Sequence, residues 1–160
     1  MRSSASSMPT ERRTRPSVIP SAARFSAGML AWDILRLEAG QPRYGYELNE
    51  MIDPITAGLE AAVNFNHDFI GAEALRKIQA TGPARRRVGL VLEAPSGADR
   101  PVVPAMGTPV MDADGNEIGA VTSATLSPTL EKVIAMAYVS SAHCESGKRV
   151  QLPCGNTIIA

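Results

Sequence analysis

The 160-residue chain is poor in aromatic, cysteine and histidine residues, and these shortages exclude several kinds of site. Aromatic residues make up 4% of the sequence, and it holds two cysteines and two histidines. Cys144 and Cys154 lie ten positions apart with His143 beside the first, which is not a recognised metal-binding spacing. We therefore interpret both cysteines as reduced thiols and predict no metal site.

Long apolar runs are also missing from the sequence. No segment approaches the roughly 20 residues that a membrane span requires, and no secretory hydrophobic region is present. These features predict no membrane partner and a cytoplasmic protein, or a matrix protein if the source is mitochondrial. The sequence shows no Ser-His-Asp arrangement, phosphate-cradling glycine loop or pair of catalytic carboxylates. From composition and spacing alone, no reaction can be assigned.

Charge is balanced overall but unevenly distributed. Residues 1–30 carry five arginines and one glutamate, whereas the remaining residues carry eleven basic against fifteen acidic side chains. The body of the chain therefore lacks the basic surface of a nucleic-acid-binding protein. Residues 1–26, rich in Ser and Arg and without apolar periodicity, are predicted to be a disordered basic tail or an artefact of the reading frame. A mitochondrial presequence is a further alternative, which the three prolines disfavour.

Apolar periodicity predicts two short helices in the first half of the chain. The first covers residues 30–39 and the second residues 69–80, with Asp68 as the N-cap of the second helix and Gly82 beyond its end. The intervening residues 59–66 are apolar enough to predict a short strand.

From residue 87 onward the period changes to two, which is typical of strands. The predicted strands are residues 88–93, 109–111, 118–125, 132–139, 148–152 and 157–159. Residues 112–117 lack the spacing of a calcium loop and are predicted to form a hairpin turn, and residues 94–107 a surface loop. The fold class is therefore α+β, with two short helices followed by a small antiparallel sandwich or barrel.

Arg36 is the main candidate for a functional residue. At about 100° per residue, Trp32, Leu35 and Ala39 share one helical face, and Arg36 lies only about 40° from Trp32. A guanidinium so near a packed face is expected to be paired or to hold an anion, since burying an unpaired charge is costly.

Two further polar clusters have alternative interpretations. Hydroxyl residues between Thr122 and Thr129 either fix a turn by bonding to the local backbone or shape the mouth of a pocket. The run Arg85-Arg86-Arg87 is interpreted as a solvated face of the sheet. His67 and His143 have no evident ligand partners in the sequence.

Eight sequence blocks, taken in order over about residues 28–159, resemble one family. They begin with Gly28-Met-Leu-Ala-Trp-Asp33, Leu35-Arg-Leu-Glu-Ala-Gly40 with Tyr44-Gly45, Glu47-Leu-Asn-Glu50 and Asp68-Phe-Ile-Gly71. They continue with Arg87-Val-Gly-Leu90, Gly119-Ala-Val-Thr-Ser123, Ser127-Pro-Thr-Leu130 and Ile134-Ala-Met-Ala-Tyr138. Each block is weakly specific, but together they resemble the C-terminal part of the aminomethyltransferase family, the T-protein of the glycine cleavage system.

The resemblance implies a tetrahydrofolate-dependent transfer. Members of the family take the aminomethyl group from the lipoyl-carrying H-protein, release ammonia and form methylenetetrahydrofolate, with the folate bound at the centre of a three-domain cloverleaf. By position, Arg36 matches the arginine at the folate site, where its bidentate donors suit a carboxylate or pterin edge. Tyr44 matches an aromatic residue near that site, and Glu38 matches a position with a structural role.

The same resemblance predicts how the chain is divided. Residues 27–84 correspond to the end of the folate-binding region and residues 85–160 to the C-terminal antiparallel barrel domain. The sequence stops where the family adds a final strand, so we expect an unclosed barrel with an unpaired edge.

The chain also departs from the family pattern. The first half of the family's sequence, with its catalytic aspartate and the glutamate that reads the pterin ring, has no counterpart here. We therefore expect a truncated chain that is inactive alone, unless a separate polypeptide supplies the first half. Trp32 replaces a usual arginine, and Arg43 replaces a commonly apolar residue. Two alternatives remain: a non-catalytic folate-binding or interaction module, and a C-terminal piece of a sarcosine or dimethylglycine dehydrogenase relative.

Overall fold

A computed structural model describes residues 28–93, 101–153 and 155–159, with only the backbone given for 155–158. The chain order in these ranges is helix α1 (Met29–Glu38), helix α2 (Ala72–Thr81) and then strands β1 (Arg85–Leu92), β2 (Pro109–Met111), β3 (Glu117–Ser127), β4 (Lys132–Ser140), β5 (Arg149–Leu152) and β6 (Gly155–Ile159). Short 3₁₀ turns occur at Glu60–Ala62 and Ser141–His143. The α+β class predicted from the periodicity is confirmed.

The six strands form a closed antiparallel barrel in the order β1-β4-β3-β2-β5-β6. The ring closes because β6 pairs with β5 on one side and with β1 on the other, where Leu90 lies opposite Ile159. The expectation of an unclosed barrel with an open edge is therefore wrong. The physical reason is that β6 is long enough to pair with all of β5 and also to place Thr157–Ile159 opposite Leu90–Leu92 of β1.

The barrel interior is filled by aliphatic side chains from every described strand. In β1 the alternate residues Val88, Leu90 and Leu92 point inward and are buried, as the period of two requires. The other buried members of this core are Val110, Val121, Val133, Ala135, Ala137, Val139, Val150, Leu152 and Ile159. Each large side chain so buried contributes about 1.5–3 kcal/mol, so the core holds the barrel without large aromatic residues.

Helix α1 packs against the outside of the barrel through Leu37. This residue is buried with Ile134 and Met136 of β4, and Val91 of β1 packs beside them. The predicted apolar face is wrong: Trp32 and Leu35 are 47% and 61% exposed, whereas Arg36 and Leu37 are buried. The helix instead buries Leu37 against β4 and Arg36 among polar partners.

The region before β1 differs from the prediction in two places. Residues 59–66 do not form a strand but contain the single 3₁₀ turn Glu60–Ala62. Helix α2 starts at Ala72, later than predicted, because Gly71 at the N-cap has a φ of 91°, a left-handed conformation that interrupts the helix. Asp68 is therefore not the cap, and Ile70 lies outside the helix and is fully exposed. The end of the helix at Gly82, with a φ of 77°, is confirmed.

The predicted hairpin turn between β2 and β3 is confirmed. Asp112 accepts backbone N–H hydrogen bonds from Asp114 and Asn116, both at 2.9 Å, and Gly115 takes a positive φ of 83°. The basic tail and residues 94–100 of the predicted loop lie outside the described residues. Neither helix in the described ranges has the length and apolar character needed to cross a bilayer.

Candidate functional site: a buried Arg36–Glu47 pair

The site begins where α1 ends and the chain turns back over the helix. The backbone N–H groups of Glu47 and Leu48 both donate to the carbonyl of Arg43, at 3.0 and 3.1 Å, which closes a tight turn. Gly40, with a φ of 66°, ends α1 and allows the chain to reverse. This local geometry returns Glu47 to a position beside Arg36, eleven residues earlier.

Arg36 is paired, as its position in the sequence predicts, and it is 3% exposed. Its Nη1 donates to Glu47 Oε2 at 2.7 Å, and its Nε donates to Asp33 Oδ1 at 2.8 Å. A longer bond of 3.4 Å joins Nη1 to the carbonyl of Gln41. The remaining terminal nitrogen, Nη2, is buried and has no hydrogen-bond partner among the described residues.

Glu47 is the centre of this network. It is fully buried, and each carboxylate oxygen accepts two hydrogen bonds. Oε2 accepts from Arg36 and from the backbone N–H of Arg43 at 3.0 Å. Oε1 accepts from the hydroxyls of Thr122, at 2.7 Å, and Ser123. A buried carboxylate with this many donors stays ionised without being left unsatisfied.

A β-bulge explains how two successive residues of β3 reach the same carboxylate. In a regular strand, neighbouring side chains point to opposite faces. The register between β3 and β4 shifts between Val121 and Ser123, and this extra residue aims both Thr122 and Ser123 at Glu47. Neither interpretation of the hydroxyl cluster predicted this role: the two hydroxyls bind a side chain 75 and 76 residues away.

A second glutamate ties the end of α1 to the same strand. Glu38 accepts hydrogen bonds from the Ser127 hydroxyl at 2.5 Å and the Thr129 hydroxyl at 3.1 Å. The hydrogen bond from Ser127 is the main cause that lowers the pKa of Glu38 below its ordinary value. Ser127 also accepts the Leu130 N–H at 3.0 Å, which is the local turn contact that the sequence predicts. Glu38 thus holds α1 against the end of β3.

The basic run at the start of β1 is solvated only in part. Arg85 and Arg86 are exposed, but Arg87 donates from Nε to the Ala57 carbonyl and from Nη1 to the Gly40 carbonyl, both at 2.8 Å. For Arg87 the interpretation as a solvated residue is therefore wrong. Its side chain fixes the loop that follows α1 to the barrel wall, 47 residues further along the chain.

Two aromatic rings lie against the guanidinium groups of Arg36 and Arg43. The Arg36 guanidinium carbon lies 5.6 Å from the Tyr46 ring centre, and the Arg43 guanidinium carbon lies 4.9 Å from Tyr46 and 5.4 Å from Trp32. These distances are within the range of cation–π attraction. The two residues that depart from the family pattern, Trp32 and Arg43, therefore contact each other.

The aromatic residue beside Arg36 is Tyr46, which the sequence interpretation missed. The predicted site residue Tyr44 lies in the turn and is 68% exposed. Its backbone forms an isolated bridge with Leu48. The sequence could have indicated Tyr46 and Glu47, because both lie in the turn that is expected after the helix ends at Gly40.

Burial and hydrogen bonding act in opposite directions on Glu47. Burial favours the neutral acid, but the hydroxyls of Ser123 and Thr122, the Arg43 N–H and the charge of Arg36 together hold the pKa of Glu47 below its ordinary value of 4.5. Since the folded pKa is the lower one, this carboxylate stabilises the fold fully above pH 4.5, and the contribution decreases as pH falls toward the folded pKa.

We expect this contribution to be visible in acid unfolding. The difference in unfolding free energy between the wild-type chain and Glu47→Gln should stay constant from pH 7 to about 5 and decrease at lower pH, where the wild-type carboxylate is protonated. Urea unfolding followed by circular dichroism at several pH values measures it. A difference that grows on acidification would contradict the assignment of Glu47 as an ionised buried group.

No cluster of three or more His, Cys, Asp or Glu side chains able to hold a metal occurs within the described ranges. The polar groups that converge here are instead hydrogen-bond donors and acceptors around one buried ion pair. In this arrangement the Glu47 carboxylate is fully occupied, and Arg36 Nη2 is the donor that is left for a further acceptor.

Comparison with known proteins agrees with the barrel and with the α1 segment. Residues 85–160 match the family model of the glycine cleavage T-protein C-terminal barrel domain. The aminomethyltransferase of Symbiobacterium thermophilum is 43% identical over 127 residues, which is 78% of this chain and 32% of that protein. The mitochondrial aminomethyltransferase of Pisum sativum is 40% identical over 129 residues, covering 78% of this chain and 30% of that protein.

A solved structure shows the same fold. The crystal structure of glycine cleavage system aminomethyltransferase T from Bartonella henselae superposes with a TM-score of 0.71 and 32% identity, covering 81% of this chain and 36% of that one. The barrel is therefore that of a T-protein C-terminal domain. Over about four-fifths of its length the chain corresponds to the C-terminal part of aminomethyltransferases, as its motifs predict, and it spans about a third of the length of these relatives.

Proposed function

We propose that this chain forms one side of a tetrahydrofolate site for aminomethyl transfer from a lipoyl-carrying H-protein. In this proposal, Arg36 and Tyr44 contact the folate, and the remaining groups come from the region that relatives carry before the matched third. Tetrahydrofolate would supply the nitrogen atoms that accept the one-carbon unit. The residues of this chain would bind and orient it.

The observation that carries the proposal is the free donor of Arg36. Three of the five guanidinium N–H donors are engaged by Asp33, Glu47 and the Gln41 carbonyl, whereas Nη2 is buried without a partner among the described residues. An unsatisfied buried donor is costly in a folded protein, so a ligand acceptor that pairs with it gains affinity. A carboxylate or the polar edge of a pterin has the required acceptors.

Glu47 and Asp33 act as positioning residues in this proposal. They fix the guanidinium from two sides, so Nη2 keeps one direction before the ligand arrives. Fixing a donor in advance reduces the entropy lost on binding. Tyr44, exposed at the turn, is available to stack against the ligand or donate its hydroxyl.

Alone, the 160 residues should show no measurable transferase activity. Acid–base and electrostatic groups must converge on one bound substrate for the transfer to occur. In this proposal Arg36 contributes to binding, and the acid–base groups come from the region that relatives carry before the matched third. The H-protein as donor, and a cytoplasmic or matrix setting, belong to the same proposal.

Titration calorimetry with tetrahydrofolate tests whether the chain binds this ligand. We expect saturable binding to the folded wild-type chain and at least a tenfold loss of affinity in Arg36→Lys, which keeps the charge beside Glu47 but removes the fork that carries Nη2. Tyr44→Ala, at an exposed position, should weaken binding less and leave the fold unchanged.

An exposed residue away from the Arg36–Glu47 pair supplies the control. Ser146→Ala, in an exposed turn of the barrel, should bind tetrahydrofolate as the wild type does. Circular dichroism of every variant separates loss of ligand contact from loss of fold. No binding to a wild-type chain that is shown to be folded would overturn the assignment of Arg36 as a folate-binding residue.

A further inference from the structure

The unpartnered donor of Arg36 is closed to solvent. Its Nη2 atom is buried, and the residue as a whole is 3% exposed. A hydrogen bond to this nitrogen requires an acceptor atom within about 3 Å. Because Nη2 is closed to water from outside, it is also closed to any larger ligand. The site must therefore open before a ligand can bind to this donor.

Two partly exposed side chains lie over the guanidinium. The Tyr46 ring centre is 5.6 Å from the Arg36 guanidinium carbon, and the Arg43 guanidinium carbon is 4.9 Å from the same ring centre. Tyr46 is 36% exposed and the Arg43 side chain is 28% exposed. Exposure thus increases from Arg36 outward, which is the arrangement of a cover over a buried group.

Tyr46 is held to Arg36 less firmly than the polar neighbours are. Glu47 and Asp33 are fixed to the guanidinium by charged hydrogen bonds of 2.7 and 2.8 Å. The Tyr46 ring packs on guanidinium groups, and cation–π attraction at a partly exposed site is weaker than a charge-assisted hydrogen bond. Gly45, directly before Tyr46, has a φ of 87° and open space around it, so the turn has room to adjust.

A cleft beside Tyr46 offers space for the displaced ring. It has a volume of about 500 Å³, and its lining includes Tyr46, Asn49, Thr122 and Tyr138. Thr122 bonds to the Glu47 carboxylate, and the Tyr138 hydroxyl donates to the Glu47 carbonyl at 2.9 Å, so the cleft adjoins the buried pair. Rotation of one side chain about its Cα–Cβ bond would move the ring into this space.

We propose that Tyr46 is a gate over the Arg36 donor and that Arg43 holds the gate closed. In the closed arrangement the ring packs on Arg36, and Nη2 has no access. In the open arrangement the ring lies in the cleft, and Nη2 can take an acceptor. The identity of the ligand rests on the proposed function, whereas the gate is observable without a ligand. Such a gate limits binding to the fraction of molecules that are open.

Chemical modification tests the gate in the absence of any ligand. Phenylglyoxal reacts with the terminal nitrogens of accessible arginines, and mass spectrometry of peptides gives the rate at each position. We expect Arg36 to react about tenfold faster or more in Tyr46→Ala than in the wild-type chain, because the competent state no longer requires a rare opening. Tyr46→Phe keeps the ring and should react as the wild type does.

Tyr44→Ala is the matched control, because it removes another tyrosine of the same turn that is 68% exposed. The Arg36 modification rate should stay at the wild-type value in this variant. Arg85 and Arg149 are exposed and serve as internal references in every sample. Circular dichroism shows whether each variant is folded. Equal Arg36 rates in folded Tyr46→Ala and Tyr44→Ala chains would overturn the gate.

Arg43→Met provides a second test that leaves the tyrosine ring in place. Loss of the attraction between Arg43 and Tyr46 should raise the Arg36 modification rate, by less than Tyr46→Ala does. This variant also tests the gate if Tyr46→Ala does not fold. No increase in Arg43→Met would overturn the holding role of Arg43.

Stopped-flow mixing with tetrahydrofolate connects the gate to the proposed ligand. Trp32 is the single tryptophan of the chain and contacts Arg43, so its fluorescence serves as the signal. The wild-type association rate should level off at high ligand concentration, where opening becomes limiting, and Tyr46→Ala should associate about tenfold faster or more. Faster Arg36 modification in Tyr46→Ala, with no tetrahydrofolate binding by any variant, would confirm the gate and overturn the proposed function. Binding with equal modification rates would overturn the gate alone.

Discussion

Replacing Glu47 by glutamine should lower the free energy of unfolding by about 3–5 kcal/mol, the range measured when one partner of a buried ion pair is removed. The substitution keeps the shape of the side chain but removes the buried negative charge beside the Arg36 guanidinium, and the amide has one acceptor oxygen where the carboxylate has two. Urea unfolding followed by circular dichroism measures the change. An effect of this size is a large fraction of the stability of a small domain.

The control for this substitution is Glu50→Gln, which removes the same charge at an exposed position three residues further along. It should change the unfolding free energy by less than about 0.5 kcal/mol. If Glu47→Gln does not fold at all, Thr122→Val provides a milder test, since losing one hydroxyl bonded to a charged group costs about 1.5–3 kcal/mol. A Glu47→Gln chain as stable as the Glu50→Gln chain would show that the pair does not hold the fold.

Replacing Gly119 by alanine should destabilise the barrel by about 3 kcal/mol or more, at or above the upper end for overpacked sites. A Cβ at this position would lie 2.0 Å from the Tyr138 carbonyl oxygen and 2.8 Å from the Val139 Cα. Both are backbone atoms of β4, so no side chain can turn away to make room. Strands β3 and β4 would have to separate, which would also shift the nearby hydroxyls that hold Glu47.

Gly28→Ala is the comparison for the Gly119 substitution. Nothing lies within 4 Å of a Cβ placed at Gly28, and its φ of −68° is open to any residue. Its effect on the free energy of unfolding should be less than about 1 kcal/mol. Similar unfolding midpoints for the two alanine variants would mean that β3 and β4 are less closely apposed at Gly119 than the structure describes.

Local patterns in the sequence predict the strands well because the alternation of β1 and its neighbours follows from burial of one face. They fail at residues 59–71, where apolar content suggests a strand and an early helix start. The positive φ of Gly71 decides that region, and no neighbouring side chain indicates it in advance. The end of α2 at Gly82, by contrast, could be predicted, because a glycine just after a helix is a recognised stop signal.

The candidate site also depends on contacts between residues far apart in the sequence, which local patterns cannot predict. A charged residue near an apolar face predicts that Arg36 needs a partner, and the structure supplies Glu47. The hydroxyl donors to Glu47 could not be predicted, because Thr122 and Ser123 reach it through a one-residue bulge 75 positions further along. The exposure of Trp32 was missed for a related reason: amphipathic spacing indicates which residues are apolar, not which surface covers them.

The closure of the barrel by β6 sets the order of events during synthesis. Strand β1 is made early, but its two neighbours are β4 and β6, and β6 lies at residues 155–159. A nascent chain that stalls before Gly155 therefore exposes hydrogen-bonding edges on both β1 and β5, which favours edge-to-edge association with other chains. Pairing of β6 with β1 and β5 removes both edges at once, so the barrel becomes resistant to edge-to-edge association only after Gly155–Ile159 has been made.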